Sequence, residues 1–280
     1  MKKVVFSFLF SALFILAPIE VLAEKVITHC MQGDKSYTVD LLKLALNTQK
    51  YVYELERNDW FCSEKRKLKS VFERDIKIIW AGASVELEEK LIPVRIPIFK
   101  GLTSYRVLLI RRSEQVKFSK IQTLSDFKLL SLGQAEDWVD TKIFRASGIR
   151  VVTSHSFEVL PKMLSHGRFD AFPRGIQQAW NDAQQFSNLG LEVEQELAFH
   201  YRLPSYFYLS PDSADLAKTL EKGLEALIAS GEFDRFFYSH PLIIEGLRNF
   251  NIKQRRVFEL PNPFLPTKVP TEREELWLNF

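Results

Sequence analysis

The chain has 280 residues, of which 46% are hydrophobic, 26% charged and 13% aromatic. This is the composition of a globular protein, and it excludes a disordered or fibrous chain. The formal net charge of +3 is small and evenly spread, so the sequence does not predict nucleic-acid binding.

The first 23 residues have the pattern of a secretory signal peptide. A basic start at Lys2 and Lys3 precedes an apolar run over residues 4–17, and small residues allow cleavage after Ala23. The apolar run is shorter than the roughly twenty residues of a membrane-spanning helix. We therefore expect export to the periplasm through a cleaved signal peptide, with an uncleaved N-terminal anchor as the alternative.

The only two cysteines are Cys30 and Cys62. They lack a CxxC spacing, which argues against a zinc or redox site. In an oxidising periplasm they are expected to form a disulfide.

Strand and helix patterns alternate between residues 25 and 80. Leucines at helical spacing predict a buried stripe over residues 37–48, after Ser36 as N-cap. The β-α-β-α-β order predicts a parallel sheet with right-handed crossovers. Trp80 ends the third predicted strand and Ser84 follows it, at the sheet edge where ligands bind in open α/β folds.

The alternation stops at residues 94–111, where two strand patterns follow each other without a long helix between them. We interpret this as a crossing between two lobes, because residues 129–186 repeat the strand-helix order. The expected boundaries are residues 24–106 with 200–280 for lobe 1, and residues 107–199 for lobe 2.

Arg174 is the most informative charged residue of the second unit. An apolar strand over residues 169–172 is expected to end at Pro173, which cannot donate to a ladder. Arg174 then lies at the carboxyl end of a strand, where its guanidinium can hold an anion. A structural ion pair is the alternative.

Gln134 and Trp138 flank the junction of a predicted strand and the next helix. Free backbone N–H groups at a helix N-terminus favour anions, and Trp138 can stack on a ligand. The alternative is ordinary capping of this helix by Glu136 or Asp137.

Three segments resemble a bacterial subgroup related to the family 3 solute-binding proteins, which are type II periplasmic binding proteins. They are residues 95–106 (RIPIFKGL followed by YR), residues 133–141 (GQ, then WVDT) and residues 163–175 (ML, then GRFD and FPRG). The resemblance implies an α/β fold of two lobes, each a mostly parallel sheet flanked by helices, with the ligand cleft between them.

Two departures from the family pattern concern the ligand. Amino-acid-binding members carry an acidic residue near the position of Arg174, and an Arg shortly after the third strand. Here residues 84–89 read SVELEE, and no Arg follows until Arg95. Both departures argue against ordinary amino-acid recognition, and Arg174 favours an anionic or polar ligand over a simple cationic one. Arg95 and Arg106, near the hinge, are expected in salt bridges between strands and helices.

The resemblance implies an exported solute-binding protein, a monomer without cofactor or metal, that delivers a small polar ligand to an ABC permease or reports it to a membrane sensor. The alternatives are a sensor of the same fold that acts on a membrane signalling partner without transport, and a dehydratase-like enzyme. Ser84 follows Gly82 with one residue between them, but Glu86 stands where the nucleophile elbow G-x-S-x-G needs a second Gly. No catalytic residue is therefore assigned. The candidate ligand-binding residues are Trp80, Ser84, Arg95, Gln134, Trp138 and Arg174.

Overall fold

The computed structural model describes residues 24–28, 36–50, 52–57, 64–278 and 280. The expected signal peptide and the cysteines Cys30 and Cys62 lie outside these described residues. No helix within them is long and apolar enough to cross a membrane.

Strands and helices alternate through most of the chain. The strands are β1 (Glu24–Thr28), β2 (Tyr53–Arg57), β3 (Ile78–Gly82), β4 (Ile92–Val94), β5 (Tyr105–Arg111), β6 (Ser131–Ala135), β7 (Arg150–Ser154), β8 (Phe172–Gly175), β9 (Leu191–Val193), β10 (Leu197–His200), β11 (Ser205–Leu209) and β12 (Arg256–Glu259). The helices are α1 (Ser36–Thr48), α2 (Glu64–Phe72), α3 (Val85–Lys90), α4 (Gln115–Ser119), α5 (Leu124–Phe127), α6 (Val139–Ala146), α7 (Leu160–Ser165), α8 (Ala179–Gln185), α9 (Ala214–Ala229), α10 (Glu232–Ser239) and α11 (Pro241–Phe250).

The first sheet has the strand order β2-β1-β3-β11-β4. Strands β1, β2 and β3 are parallel, as the β-α-β-α-β pattern predicted, and β11 runs antiparallel to β3 and β4. Helices α1 and α9 bury Leu41, Leu42, Leu220 and Leu224 in the core of this lobe. They touch at Gly223, where a Cβ atom would lie 2.1 Å from the carbonyl oxygen of Ala45.

The second sheet has the order β12-β10-β5-β8, with β9 also paired to β5. Strand β5 is antiparallel to β8, β9 and β10, whereas β10 and β12 are parallel. The parallel pair β6-β7 joins this lobe through a bridge between Leu132 and Ala171. A second α/β unit was predicted for this part of the chain, and the parallel pair belongs to it.

The prediction that the strand near residue 172 ends at Pro173 is wrong. Strand β8 continues to Gly175, and Pro173 and Arg174 lie opposite Leu108 and Val107 of β5. Because β8 is the last strand on this path of the sheet, a residue without an N–H group can occupy it. Arg174 therefore lies within the strand and not after it.

Two other predicted strands differ in extent. The strand expected over residues 94–99 ends at Val94, because β4 pairs with β11 only as far as Phe207. The apolar pattern of residues 191–199 predicts one strand that returns to the first lobe, but the segment forms two short strands, β9 and β10, and Glu194 between them is fully buried.

Two connections run between the sheets, over residues 95–104 and 201–204. They are bonded to each other: Thr103 Oγ1 donates to the carbonyl of Leu203 at 3.0 Å, and Leu203 N–H donates to Ser104 Oγ at 3.1 Å. This contact forms the hinge region of the molecule.

The C-terminal part of the chain also spans both sheets. Helix α11 packs on α8, and β12 then pairs with β10 of the second sheet. The tail returns to the first lobe, where Arg273 pairs with Glu225 of α9 at 2.5 Å and Leu276 is fully buried. The expected boundaries of the two lobes stay a prediction.

Candidate functional site

The candidate site lies where strand ends of both sheets meet the hinge connections. In the first lobe β3 and β4 end there and β11 begins there. In the second lobe β6, β7 and β8 end beside the start of β5. Carboxyl ends of parallel strands are the usual place for ligands in open α/β sheets.

In the first lobe, Ser84 and Arg95 are both attached to helix α3. Ser84 is the N-cap of α3, and its Oγ accepts the N–H of Leu87 at 3.3 Å. The Arg95 guanidinium donates to Glu88 Oε2 from two nitrogens, at 2.6 and 3.1 Å. This pair confirms the salt bridge expected for Arg95.

Two tyrosines of β11 complete a polar cluster of the first lobe. Tyr206 and Tyr208 lie on the face of the sheet that α3 covers. Burial raises the pKa of both phenols, and the charge of Glu88 raises it further, while Arg95 opposes the rise. Within the described residues, the Tyr206 hydroxyl and Glu88 Oε1 are buried without a hydrogen-bond partner.

Trp80 does not join this cluster. It lies inside β3 opposite Phe207, and it packs against the hydrophobic core on the other face of the sheet from Tyr206. Two of the three candidates from the first lobe are therefore brought together.

In the second lobe, Arg174 and Asp182 form a buried ion pair. Arg174 Nε donates to Asp182 Oδ2 at 2.5 Å, and the two residues are 8% and 7% exposed. The guanidinium carbon also lies 5.4 Å from the ring centre of Trp138, 4.7 Å from that of Phe157 and 5.1 Å from that of Phe172. Trp138 and Arg174 are thus in contact, and Asp182 balances the charge that made Arg174 a candidate anion site.

Two buried carboxamides lie near these residues in the sequence, at the ends of β6 and β8. Gln134 is 1% exposed, and neither its Oε1 nor its Nε2 has a hydrogen-bond partner in the described chain. Gln177 Oε1 is also unpaired there. A Cβ at position 175 would lie 2.6 Å from that oxygen, so a residue larger than Gly175 would displace the Gln177 side chain. Leaving such groups unpaired costs about 1–3 kcal/mol each.

The prediction that Glu136 or Asp137 caps the next helix is wrong. Helix α6 begins at Val139 with Trp138 in the N-cap position, and no side chain caps it. Glu136 instead pairs with His155 at 2.7 Å. The indole of Trp138 packs against Phe157 and Phe172.

At the hinge, Arg106, Asp140 and Tyr201 form a buried network. Arg106 Nε donates to Asp140 Oδ1 at 2.7 Å, and the Tyr201 hydroxyl donates to the same oxygen. Burial alone would raise the pKa of Asp140, but the charge and hydrogen bonds of Arg106 hold it below its usual range. The network ties β5, the start of α6 and the second connection together, and it confirms the salt bridge expected for Arg106.

An exposed ion pair crosses from one lobe to the other beside the site. Glu86 of α3 and Lys142 of α6 are 3.5 Å apart. The pKa of Glu86 is lowered, first by a hydrogen bond from Lys90 and then by the charge of Lys142.

The charges around the site are matched in pairs. Each of four basic side chains has a carboxylate partner: Arg95 pairs with Glu88, Arg106 with Asp140, Arg174 with Asp182, and Lys142 with Glu86. The polar groups left for a ligand are therefore mainly uncharged amides and hydroxyls.

The sequence matches no protein-family model and no curated protein. Solved structures do match the fold. An ancestral arginine-binding protein bound to glutamine is 16% identical with a TM-score of 0.59, over 77% of this chain and 96% of that one. The GluR0 ligand-binding core in complex with L-glutamate is 17% identical with a TM-score of 0.57, over 78% and 97%. The arginine-, lysine-, histidine-binding protein ArtJ of Geobacillus stearothermophilus is 16% identical with a TM-score of 0.54, over 78% and 94%.

At these identities the likeness shows the fold alone. It confirms the predicted two-lobed α/β architecture. These structural neighbours are ligand-binding proteins or ligand-binding cores.

Proposed function

We propose that this chain, which has the two-lobed fold of type II periplasmic binding proteins, is an exported solute-binding protein that closes around a small polar molecule. One observation carries the proposal. Four buried residues near the strand ends of the candidate site carry polar atoms that have no hydrogen-bond partner among the described residues. They are Gln134 and Gln177 in one lobe and Tyr206 and Glu88 in the other. A polar ligand between the lobes would satisfy them, which is a reason for such costly groups to be present.

The preferred ligand in this proposal is neutral or zwitterionic. An anion was expected from Arg174, but Asp182 already matches that charge at 2.5 Å. An anion at Arg174 would meet a charge that is already compensated and would be repelled by the buried Asp182 carboxylate, whereas amide and hydroxyl groups bind an uncharged polar molecule without this repulsion. Amino acids are bound in the matched structures, and zwitterions of that size are suitable first compounds.

The proposed role is delivery of the ligand to a membrane permease or its report to a membrane sensor. A sensor that acts on its partner without transport is the second candidate. The C-terminal segment favours this second candidate. It packs α11 on α8 and returns to α9 through Arg273, so it links the lobes in addition to the two connections. Such a third link restrains the opening of the lobes.

A thermal-shift screen of the chain without residues 1–23 tests the proposal. The compounds are neutral amides, zwitterionic amino acids and small peptides, dicarboxylates and cationic amino acids. A ligand at a hundred times its Kd adds about 2.7 kcal/mol, which raises the Tm by roughly 5–10 °C in a chain of this size. We expect this shift from a neutral or zwitterionic compound. A shift from dicarboxylates alone would contradict the neutral preference, and no shift with any compound would favour the second candidate.

The ion pair between Glu86 and Lys142 is expected to favour the closed form weakly. Both side chains are more than half exposed, so the pair contributes at most about 1 kcal/mol. Lys142→Gln should raise the Kd of a ligand by less than about fivefold, and the difference should vanish at high salt. Lys162→Gln, a substitution in the same lobe away from Glu86, is the control and should leave the Kd unchanged. A larger, salt-independent loss would mean that Lys142 contacts the ligand.

A further inference from the structure

A second concave surface lies away from the hinge. It is a depression of about 520 Å³ between α8, β9 and residues 249–255. Its volume falls within the range of small-molecule sites. The cleft residues of the proposed function do not line it.

Five side-chain amides line this depression. They belong to Gln184, Gln195, Asn249, Asn251 and Gln254. Within the described chain none of these side chains makes a hydrogen bond to another part of the protein, although each carries donors and acceptors. The surface therefore offers adjacent donor and acceptor groups without a protein partner.

Trp180 provides an apolar wall beside these amides. It is half-buried: it packs against the main hydrophobic core and also lines the depression. An indole supplies a broad apolar face together with one N–H donor.

The charged groups of the depression are matched. Arg112 lies 3.8 Å from Glu192, and Arg255 lies 3.6 Å from the fully buried Glu194. Arg255 is held further by the carbonyls of Phe250 and Glu194, each at 2.7 Å. A ligand of either charge therefore gains little here over a neutral one.

We propose that this depression binds a neutral saccharide. A pyranose ring presents adjacent hydroxyls, each a donor and an acceptor, which complement carboxamides. Its other face carries C–H groups, which pack on an indole. The combination of five unpaired amides, one tryptophan and no net charge fits a polyhydroxylated molecule better than a phosphate, a carboxylate or a lipid. The inference does not depend on the function proposed for the cleft.

The test is titration of the chain without residues 1–23 with maltotriose, cellotriose and triacetylchitotriose. Tryptophan indole N–H signals are followed by NMR, and the Trp180 signal is assigned with Trp180→Phe. We expect saturable binding of at least one trisaccharide that shifts this signal. The double variant Gln184→Ala, Asn249→Ala should raise the Kd by about tenfold or more, since it removes two amides.

Gln185→Ala is the matched control. Gln185 is an exposed amide on the same helix as Gln184, and it does not line the depression. The Kd of the Gln185→Ala variant for the trisaccharide should equal that of the unmodified chain. The proposal is overturned if no trisaccharide shifts the Trp180 signal at millimolar concentrations, or if the double variant and Gln185→Ala bind equally well. Binding that Gln134→Met abolishes, with the depression variants unaffected, would place the saccharide in the cleft and also overturn it.

Discussion

Asp140→Asn is expected to lower the free energy of unfolding by about 3–5 kcal/mol, the cost of leaving a buried charge unpaired. Asp140 is the carboxylate that Arg106 and Tyr201 share at the hinge, and these three side chains are largely buried. Its removal leaves the guanidinium without a counter-charge. Urea unfolding followed by circular dichroism measures the change.

Asp215→Asn is the control for this substitution. Asp215 is also in the first turn of a helix, α9, but its side chain is fully exposed and 3.7 Å from an exposed Lys218. We expect a change below about 1 kcal/mol for it. Equal losses for the two variants would show that the hinge network does not stabilise the fold.

The stability that the Arg106–Asp140 pair contributes depends on pH, because the pKa of Asp140 is lowered in the folded state. In the unfolded chain the carboxyl group of Asp140 has the ordinary pKa of about 3.9. The stabilisation is therefore complete above that pH and is lost as the pH falls through the lower pKa of the folded state. The gap in stability between the unmodified chain and Asp140→Asn should stay constant above about pH 5 and narrow as the pH falls below about 4. A gap that widens on acidification would contradict this assignment.

Arg174→Gln is expected to cost a similar amount, about 3–5 kcal/mol, because Asp182 would stay buried without its partner. The stacking of the guanidinium against Trp138, Phe157 and Phe172 would be lost as well. The double variant Arg174→Gln, Asp182→Asn should recover part of the loss, since it leaves no uncompensated charge. The double-mutant cycle is measured by urea unfolding without ligand.

The cycle separates the two interpretations of Arg174 that the sequence left open. A strong coupling between positions 174 and 182, with ligand affinity retained in the double variant, would indicate a structural ion pair. Weak coupling with a large loss of affinity would indicate a direct ligand contact.

The sequence predicted the fold well because the fold depends on periodicity. The alternation over residues 25–80 was sufficient for the parallel strands β1, β2 and β3, and the break near residue 94 located the first connection. The motif around Arg174 indicates the strand–helix junction, but the prediction that the strand ends at Pro173 is wrong. An edge strand tolerates proline, and edge position depends on tertiary topology.

The partners of the charged residues could not be predicted in the same way. Arg174 lies in β8 and Asp182 in α8, while Glu88 lies in α3 and Arg95 just after β4, so each pair joins two different elements and no spacing within one helix predicts it. Tyr201 reaches Asp140 only through the packing of a connection against α6. Such contacts depend on the assembled lobes, which is also why the unpaired state of Gln134 had no signal in the sequence.

The most direct test of the central claim is Gln134→Met, examined with and without the compound that gives the largest thermal shift. Methionine keeps the volume of glutamine but removes the two buried polar atoms of Gln134, which have no hydrogen-bond partner in the part of the chain that the structure describes. We expect unchanged or higher stability without ligand, because an unsatisfied amide is removed, together with a rise in Kd of about tenfold or more by isothermal titration calorimetry. Unchanged affinity, or a loss of stability without ligand, would contradict the claim that this amide is reserved for a polar molecule between the lobes.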